Sequence, residues 1–161
     1  MNRKEKTLNA FPDSDLSTEQ HDEIMLWLHD NIKEILGSFD LTVDSFCWEQ
    51  PLIKGTGQYK SIAGYVDMAA TCSYYDTDDE GLFKSHCTAL IEVKSHIKSI
   101  GELLRQIRQY QTFAPRDCKF FVASPDERFI SVLKSQGVEF IKAPKKEPHI
   151  RPELQSLLKG G

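Results

Sequence analysis

Thr88-Ala89-Leu90-Ile91-Glu92-Val93-Lys94-Ser95 is the most apolar strand-like run in the chain, and it carries two charges. A strand alternates its side chains between two faces, so Glu92 and Lys94 share one face. Charges buried without partners cost several kcal/mol, so this strand needs a compensating environment. A second run, Ala63-Gly64-Tyr65-Val66-Asp67-Met68-Ala69-Ala70, has Asp67 as its only charge. If the two runs pair as an antiparallel hairpin, Asp67 comes beside Glu92. Two adjacent carboxylates repel. A divalent cation relieves that repulsion, and hard oxygen ligands select Mg²⁺ or Mn²⁺. Lys94 then projects from the same face, placed to orient a water or to stabilise charge developing on a phosphoryl group.

That hairpin has a register. With Asp67 opposite Glu92, Cys72 falls opposite Cys87 as a direct cross-strand neighbour. Their side chains point to the face opposite the carboxylates. The expected pair is reduced and has no catalytic role. None of the four cysteines forms a CxxC motif, so a zinc site and a disulfide framework are both disfavoured.

Around this centre the chain reads as alternating elements. Three segments open with helix-start chemistry: Ser17-Thr18-Glu19-Gln20, Ser99-Ile100-Gly101-Glu102 and Ser124-Pro125-Asp126-Glu127. Each precedes apolar residues at helical spacing. Ile24, Leu28, Ile32, Ile35 and Leu36 form the first stripe. Leu103, Leu104, Ile107, Tyr110 and Phe113 form the second, and Phe129, Ile130, Val132 and Leu133 the third. Strands are expected over 45–53, 61–73, 88–95, 119–123 and 138–141. The acidic stretch Asp76-Thr77-Asp78-Asp79-Glu80-Gly81 is expected as a solvated hairpin loop. The order α-β-β-β-α-β-α-β predicts an α/β fold, a mixed sheet with helices on both faces. Residues 1–16 read as a loose polar segment, 17–143 as one domain, and 144–161 as a polar tail with a short helix at 152–158.

These residues resemble the PD-(D/E)XK nuclease superfamily, the restriction-endonuclease-like fold. The resemblance rests on Gly64-Tyr65-Val66-Asp67, on Ile91-Glu92-Val93-Lys94-Ser95, and on a helix bearing Gln106 and Tyr110. That last pair is similar to the Gln-x-x-x-Tyr helix of the exonuclease-like branch. The strand and helix order over 17–141 matches the family core, α-β-β-β-α-β. In this chain Val66, not Pro, precedes Asp67.

The resemblance implies metal-dependent hydrolysis of phosphodiester bonds in DNA, with RNA as a sub-alternative. Asp67 and Glu92 would hold Mg²⁺ or Mn²⁺ together with the Val93 carbonyl. Lys94 would assist the nucleophilic water, and Gln106 would position phosphate or water. Such sites often include a third acidic ligand, and two residues are candidates. Glu23 flanks the first apolar stripe and reads first as a solvated helix charge. Glu49 lies in Trp48-Glu49-Gln50-Pro51, on the strand before Asp67. The bland reading of the Asp67, Glu92 and Lys94 set is a structural ion cluster, which offers no stability over apolar residues. A non-enzymatic nucleic-acid-binding or scaffold module of the same fold is the alternative function.

The 161 residues carry a net charge of −4, which at first disfavours a polyanionic partner. The charge is divided, however. Residues 1–91 hold seven Lys/Arg against sixteen Asp/Glu, and residues 92–161 hold thirteen against eight. The second half is therefore +5, and it begins at the Glu92 strand. Lys98, Arg105, Arg108 and Tyr110 are the expected nucleic-acid contacts, with Arg116, Lys142, Lys145, Lys146 and Arg151 as further cations that can track phosphates. No reader module is visible, so base-specific recognition is not expected. A homodimer or a protein partner would supply specificity. No signal peptide or membrane-length apolar run is visible, so a cytoplasmic protein is expected.

Overall fold

The structure is a computed structural model, and it describes residues 19–145. Five strands form one sheet in the order β1 (Thr42–Lys54), β2 (Ser61–Asp78), β3 (Gly81–Val93), β4 (Cys118–Ser124) and β5 (Val138–Lys142). β1 and β3 each run antiparallel to β2 between them, while β3, β4 and β5 are mutually parallel. Helix α1 (Glu19–Gly37) precedes the sheet, α2 (Ile100–Phe113) connects β3 to β4, and α3 (Ile130–Ser135) connects β4 to β5. This is the expected mixed α/β sheet with the α-β-β-β-α-β core order of a restriction-endonuclease-like fold.

The strands alternate as their sequence demands. Ile91 and Val93 of β3, with Phe121 and Ala123 of β4, pack against Ile24, Leu28, Ile32 and Leu36 of α1. Leu90 of β3 and Val122 of β4 face the other way, onto Leu103, Ile107 and Tyr110 of α2 and Leu133 of α3. Burying a side chain of this size contributes about 1.5–3 kcal/mol. The two apolar clusters fix the helices on opposite faces of the sheet.

Several sequence expectations need correction. The strands of the β2–β3 hairpin run on to Asp78 and Gly81, so only Asp79 and Glu80 remain in the turn. The acidic loop is thus mostly strand. Gly81 supplies a φ of 123 at its end, and the Asp78 carboxylate accepts the Glu80 N–H at 2.8 Å. The third helix begins at Ile130 rather than after Ser124. The Ser124 hydroxyl does accept the Asp126 N–H at 3.0 Å, but Asp126 then turns to the loop after β3 instead of starting a helix. Of the third stripe only Leu133 is buried. The second helix starts as expected, with the Ser99 hydroxyl accepting the Glu102 N–H at 3.2 Å. Ser17 of the first expected cap and the 152–158 helix lie outside the described residues.

Candidate functional site

The hairpin register is the expected one. Cα partners run from Asp78↔Gly81 through Cys72↔Cys87 to Met68↔Ile91. The next step on this ladder sets Asp67 against Glu92. There the pairing closes with a side chain, because the Asp67 carboxylate (Oδ2) accepts the Val93 N–H at 2.7 Å. Asp67 is therefore anchored on the residue that follows Glu92. Lys94 continues toward β4, its N–H donating to the Ala123 carbonyl at 3.0 Å. The group sits where the parallel strands β3 and β4 end, the edge of an α/β sheet at which crevices form.

Burial is the unusual property of this site. Asp67 is 1% exposed, and Glu92 and Lys94 are each 3% exposed. Side chains of these types are almost never fully buried unless paired. Each helical layer contributes a polar group to the cluster. From α2, the Gln106 amide donates to Glu92 Oε1 at 3.3 Å and to the Tyr110 hydroxyl at 3.1 Å. From α1, His21 Nε2 lies 3.5 Å from Asp67 Oδ1. Gly64 makes room for this arrangement. A Cβ at Gly64 would stand 2.6 Å from the Tyr110 ring, so only glycine lets that ring come this close to β2.

His21 was not among the expected site residues. Its signal was present, since His21 precedes Ile24 and Leu28 at the three- and four-residue spacing of the buried stripe. A histidine on the apolar face of a helix has to meet a polar group there, and here that group is Asp67. Glu23, two residues on, is exposed. The helix turns His21, and not Glu23, toward the buried cluster.

Glu49 has a different standing. Its neighbours pair as Trp48↔Met68 and Gln50↔Val66, which leaves Glu49 at the position across from Asp67. Its φ is 47, a left-handed conformation that a glutamate rarely adopts. Asp67 thus lies in a row between Glu49 on β1 and Glu92 on β3. Among the described residues, no three His, Cys, Asp or Glu side chains come close enough together to enclose a metal ion.

The expected nucleic-acid residues divide by exposure. Lys98, Arg105 and Arg108 are exposed. Arg105 is paired with Glu102, and Arg108 donates to the Gln136 side chain at 2.8 Å. Tyr110 is corrected, because its ring is 1% exposed and its hydroxyl is engaged with Gln106. It supports Gln106 and does not reach a ligand surface. Lys142 is paired with Glu127 at 3.0 Å, and Lys145 is exposed, while Lys146 and Arg151 lie outside the described residues.

Beside the buried cluster, the loops after β3 and β4 are stapled together. The Asp126 carboxylate accepts the Ile97 N–H at 3.1 Å and two guanidinium bonds from Arg128, at 2.8 and 2.7 Å. Arg128 also donates to the Ile97 carbonyl at 2.9 Å. The guanidinium, helped by the backbone N–H groups, holds the Asp126 carboxyl well below the usual carboxylate range. Farther along the hairpin the thiols behave oppositely. Burial, followed by the neighbouring Cys87, pushes Cys72 up to about 11, and burial likewise pushes Cys118 up to about 11.

No protein-family model matches the chain, and no curated protein matches it. Among solved structures, it is similar to a repair endonuclease from Pyrococcus abyssi. The TM-score is 0.44 and the identity 14%, over 80% of this chain and 49% of that one. The chain thus spans about half the length of that structure. Among the described residues, no helix is long and apolar enough to cross a membrane.

Proposed function

We propose that this protein is a nuclease of the PD-(D/E)XK type, hydrolysing phosphodiester bonds in DNA with Mg²⁺ or Mn²⁺. One observation carries the reading. Two carboxylates and an ammonium, Asp67, Glu92 and Lys94, are buried together at the end of the sheet, with Gln106 hydrogen-bonded to Glu92. A purely structural ion cluster of this kind has no stability advantage over apolar residues, so its presence argues for chemistry.

The donor set suits a hard cation. Asp67 and Glu92 offer carboxylate oxygens, and the Val93 carbonyl offers a third. Mg²⁺ keeps several waters and takes one or two carboxylates plus substrate phosphate oxygens, so a full cage of side chains is not required. Glu49, at the register position across from Asp67, would be the further acidic ligand on the β1 side, and His21 would approach from α1. When bound, the ion polarises a phosphoryl oxygen and lowers the pKa of its water.

The chain's own residues do the remaining work. The Val93 N–H holds one Asp67 oxygen, which fixes the plane of that carboxylate and leaves Oδ1 on the side of His21. Gln106 fixes Glu92 in the same way, and Tyr110 in turn orients Gln106. Lys94 holds the attacking water and stabilises negative charge on the phosphoryl oxygens as the bond to the leaving oxygen breaks. Lys98, Arg105 and Arg108 present an exposed basic surface that contacts backbone phosphates, which favours structure-selective or nonspecific cleavage over base readout. A second copy or a protein partner supplies any further specificity.

The test is cleavage of plasmid, single-stranded and branched DNA with Mg²⁺ or Mn²⁺, beside Asp67→Ala and Lys94→Ala. RNA is run in parallel. The expected result is metal-dependent cleavage that both substitutions abolish. Cleavage that survives both removes the site assignment. Binding of nucleic acid with no cleavage under any metal replaces the enzyme with a binding module of the same fold.

A further inference from the structure

Beyond Lys94 the chain continues through Ser95 and His96 into the loop that Asp126 staples to the end of β4. The two loops and the start of α1 enclose an open cavity of about 600 Å³, bounded by Gln20, Ser95, His96, Asp126, Arg128 and Lys145. None of these residues belongs to the hydrolytic set.

Its acids are already engaged. Asp126 is taken up by Arg128 and the Ile97 N–H. Glu127, also on the cavity wall, is paired with Lys142 at 3.0 Å. Arg128 and Lys145 line the cavity beside Asp126 and Glu127. Because Arg128 offsets Asp126 and Lys142, which is not on the wall, offsets Glu127, the charge left over is that of Lys145, a balance that favours an anion. His96 adds direction. Its Nδ1 lies 3.4 Å from Asp126 Oδ2, and its side chain lines the cavity and is 62% exposed. The Arg128 side chain is 57% exposed, and its Nε and Nη2 donors are held by Asp126 and the Ile97 carbonyl, which fixes the remaining Nη1 donors at little entropic cost.

The position is as informative as the charge. His96 is two residues from Lys94, at most about 7 Å of extended chain. A group bound here lies one step along a strand whose scissile phosphate is at Lys94. We propose that this cavity is a phosphate subsite of the nuclease, in which His96, Arg128 and Lys145 hold the backbone phosphate next to the one that is cleaved. The proposal rests on the nuclease reading for its substrate class, and it names the residues that set the strand's register on the catalytic group. Asp126 is a positioning residue that holds His96 and Arg128 in place.

The experiment reads binding, so that it stands apart from catalysis. Fluorescence anisotropy of labelled single-stranded and duplex DNA is followed with the wild-type chain in EDTA, and with Lys94→Ala in Mg²⁺. His96→Ala and Lys145→Ala are each expected to raise Kd by about 3–10-fold, and Lys145→Ala to lower the salt slope by about one. Lys134→Ala removes an exposed cation outside the cavity and is the control, expected to stay within about twofold. The subsite is overturned if both cavity variants bind as the control does, or if the wild-type chain binds no strand. A wild-type chain that binds DNA, loses affinity in the cavity variants and yet cuts nothing overturns the hydrolytic reading and leaves the subsite standing.

Discussion

The β2–β3 hairpin inverts the usual distribution of side chains between its two ends. At one end Asp67 and Glu92 are 1% and 3% exposed. At the other, Tyr75 and Leu82 are each 69% exposed. The difference comes from neighbours. β1 pairs with β2 only as far as Ser73, and β4 pairs with β3 only from Thr88. Among the described residues, the tip of the hairpin therefore has no strand beside it and no helix above it, and its apolar side chains are exposed. The opposite end is enclosed by β1, β4 and two helices, so whatever residues stand there are buried. Buried charge and exposed apolar surface are the informative departures in a folded chain, and this hairpin carries both. The buried end is maintained by specific hydrogen bonds. Among the described residues, the exposed end has its own ladder and the local bonds that Asp76 and Asp78 accept from the Thr77 and Glu80 N–H groups.

The largest contrast is expected in catalysis. Glu92→Gln, which keeps the size of the side chain and removes its charge, should lower the metal-dependent cleavage rate by about 10²-fold or more. A Tyr75→Ser and Leu82→Ser pair at the tip should leave that rate unchanged. Single-turnover rates at saturating metal make the comparison. Equal losses from both ends would mean that the hairpin acts as one unit and that the site does not stand alone.

Gly64→Ala tests how closely the buried end is packed. Its Cβ would meet the Tyr110 ring at 2.6 Å, so the ring or β2 has to move. A loss of about 1–3 kcal/mol in urea unfolding is expected. Because Tyr110 supports Gln106, and Gln106 supports Glu92, a fall in cleavage rate should accompany it. Tyr110→Phe keeps the ring and should cost only about 0.5–1.5 kcal/mol.

The pH dependence of stability should separate the two regions as well. Asp126, at the charged end, has its folded pKa below the ordinary value of 3.8. The native state is then stabilised above that value and loses the contribution as pH falls below it. Asp126→Asn should flatten the acid limb of the stability profile. Cys72, on the thiol side, has its folded pKa raised from 9.0 to about 11. Its contribution is complete below pH 9, where both states are protonated, and is lost as pH rises toward 11 and the unfolded thiol ionises first. Cys72→Ala should flatten the alkaline limb and leave the acid limb as it was. Urea midpoints across pH 3 to 11 read both.

The smallest effect belongs to the tip. Tyr75→Ser and Leu82→Ser should each change stability by less than about 0.5 kcal/mol, because the side chains gain little on folding. A larger loss in thermal unfolding would show that the tip packs more than its exposure indicates.

Much of this contrast was legible in the chain itself. The near-continuous apolar run from Ala89 to Val93 marks a strand buried on both faces, and the charges at Glu92 and Lys94 mark it as anomalous. One assumed pair, Asp67 with Glu92, is enough to set Cys72 against Cys87, since an antiparallel ladder has a single offset. The Ser99 cap before Glu102 is a local contact and was equally legible. The start of the third helix was not. Ser124-Pro125-Asp126-Glu127 has helix-start chemistry, but Asp126 has a better partner in Arg128 and in the Ile97 N–H, which comes from a loop 29 residues away. A distant hydrogen bond overrode a local preference.

The sequence by itself determined most of the elements, the hairpin register and the buried charges at its end, because apolar periodicity and an isolated charge are properties of neighbouring residues. Only the tertiary structure decided what surrounds those charges. His21 comes from α1, Gln106 and Tyr110 from α2, and the Asp126 staple from the loop after β4. Their meeting depends on helix packing and strand order, which bring together residues far apart in the chain. The same packing buries Tyr110 while leaving Arg105 and Arg108 of the same helix exposed, and so separates the residue that supports Gln106 from those at the surface.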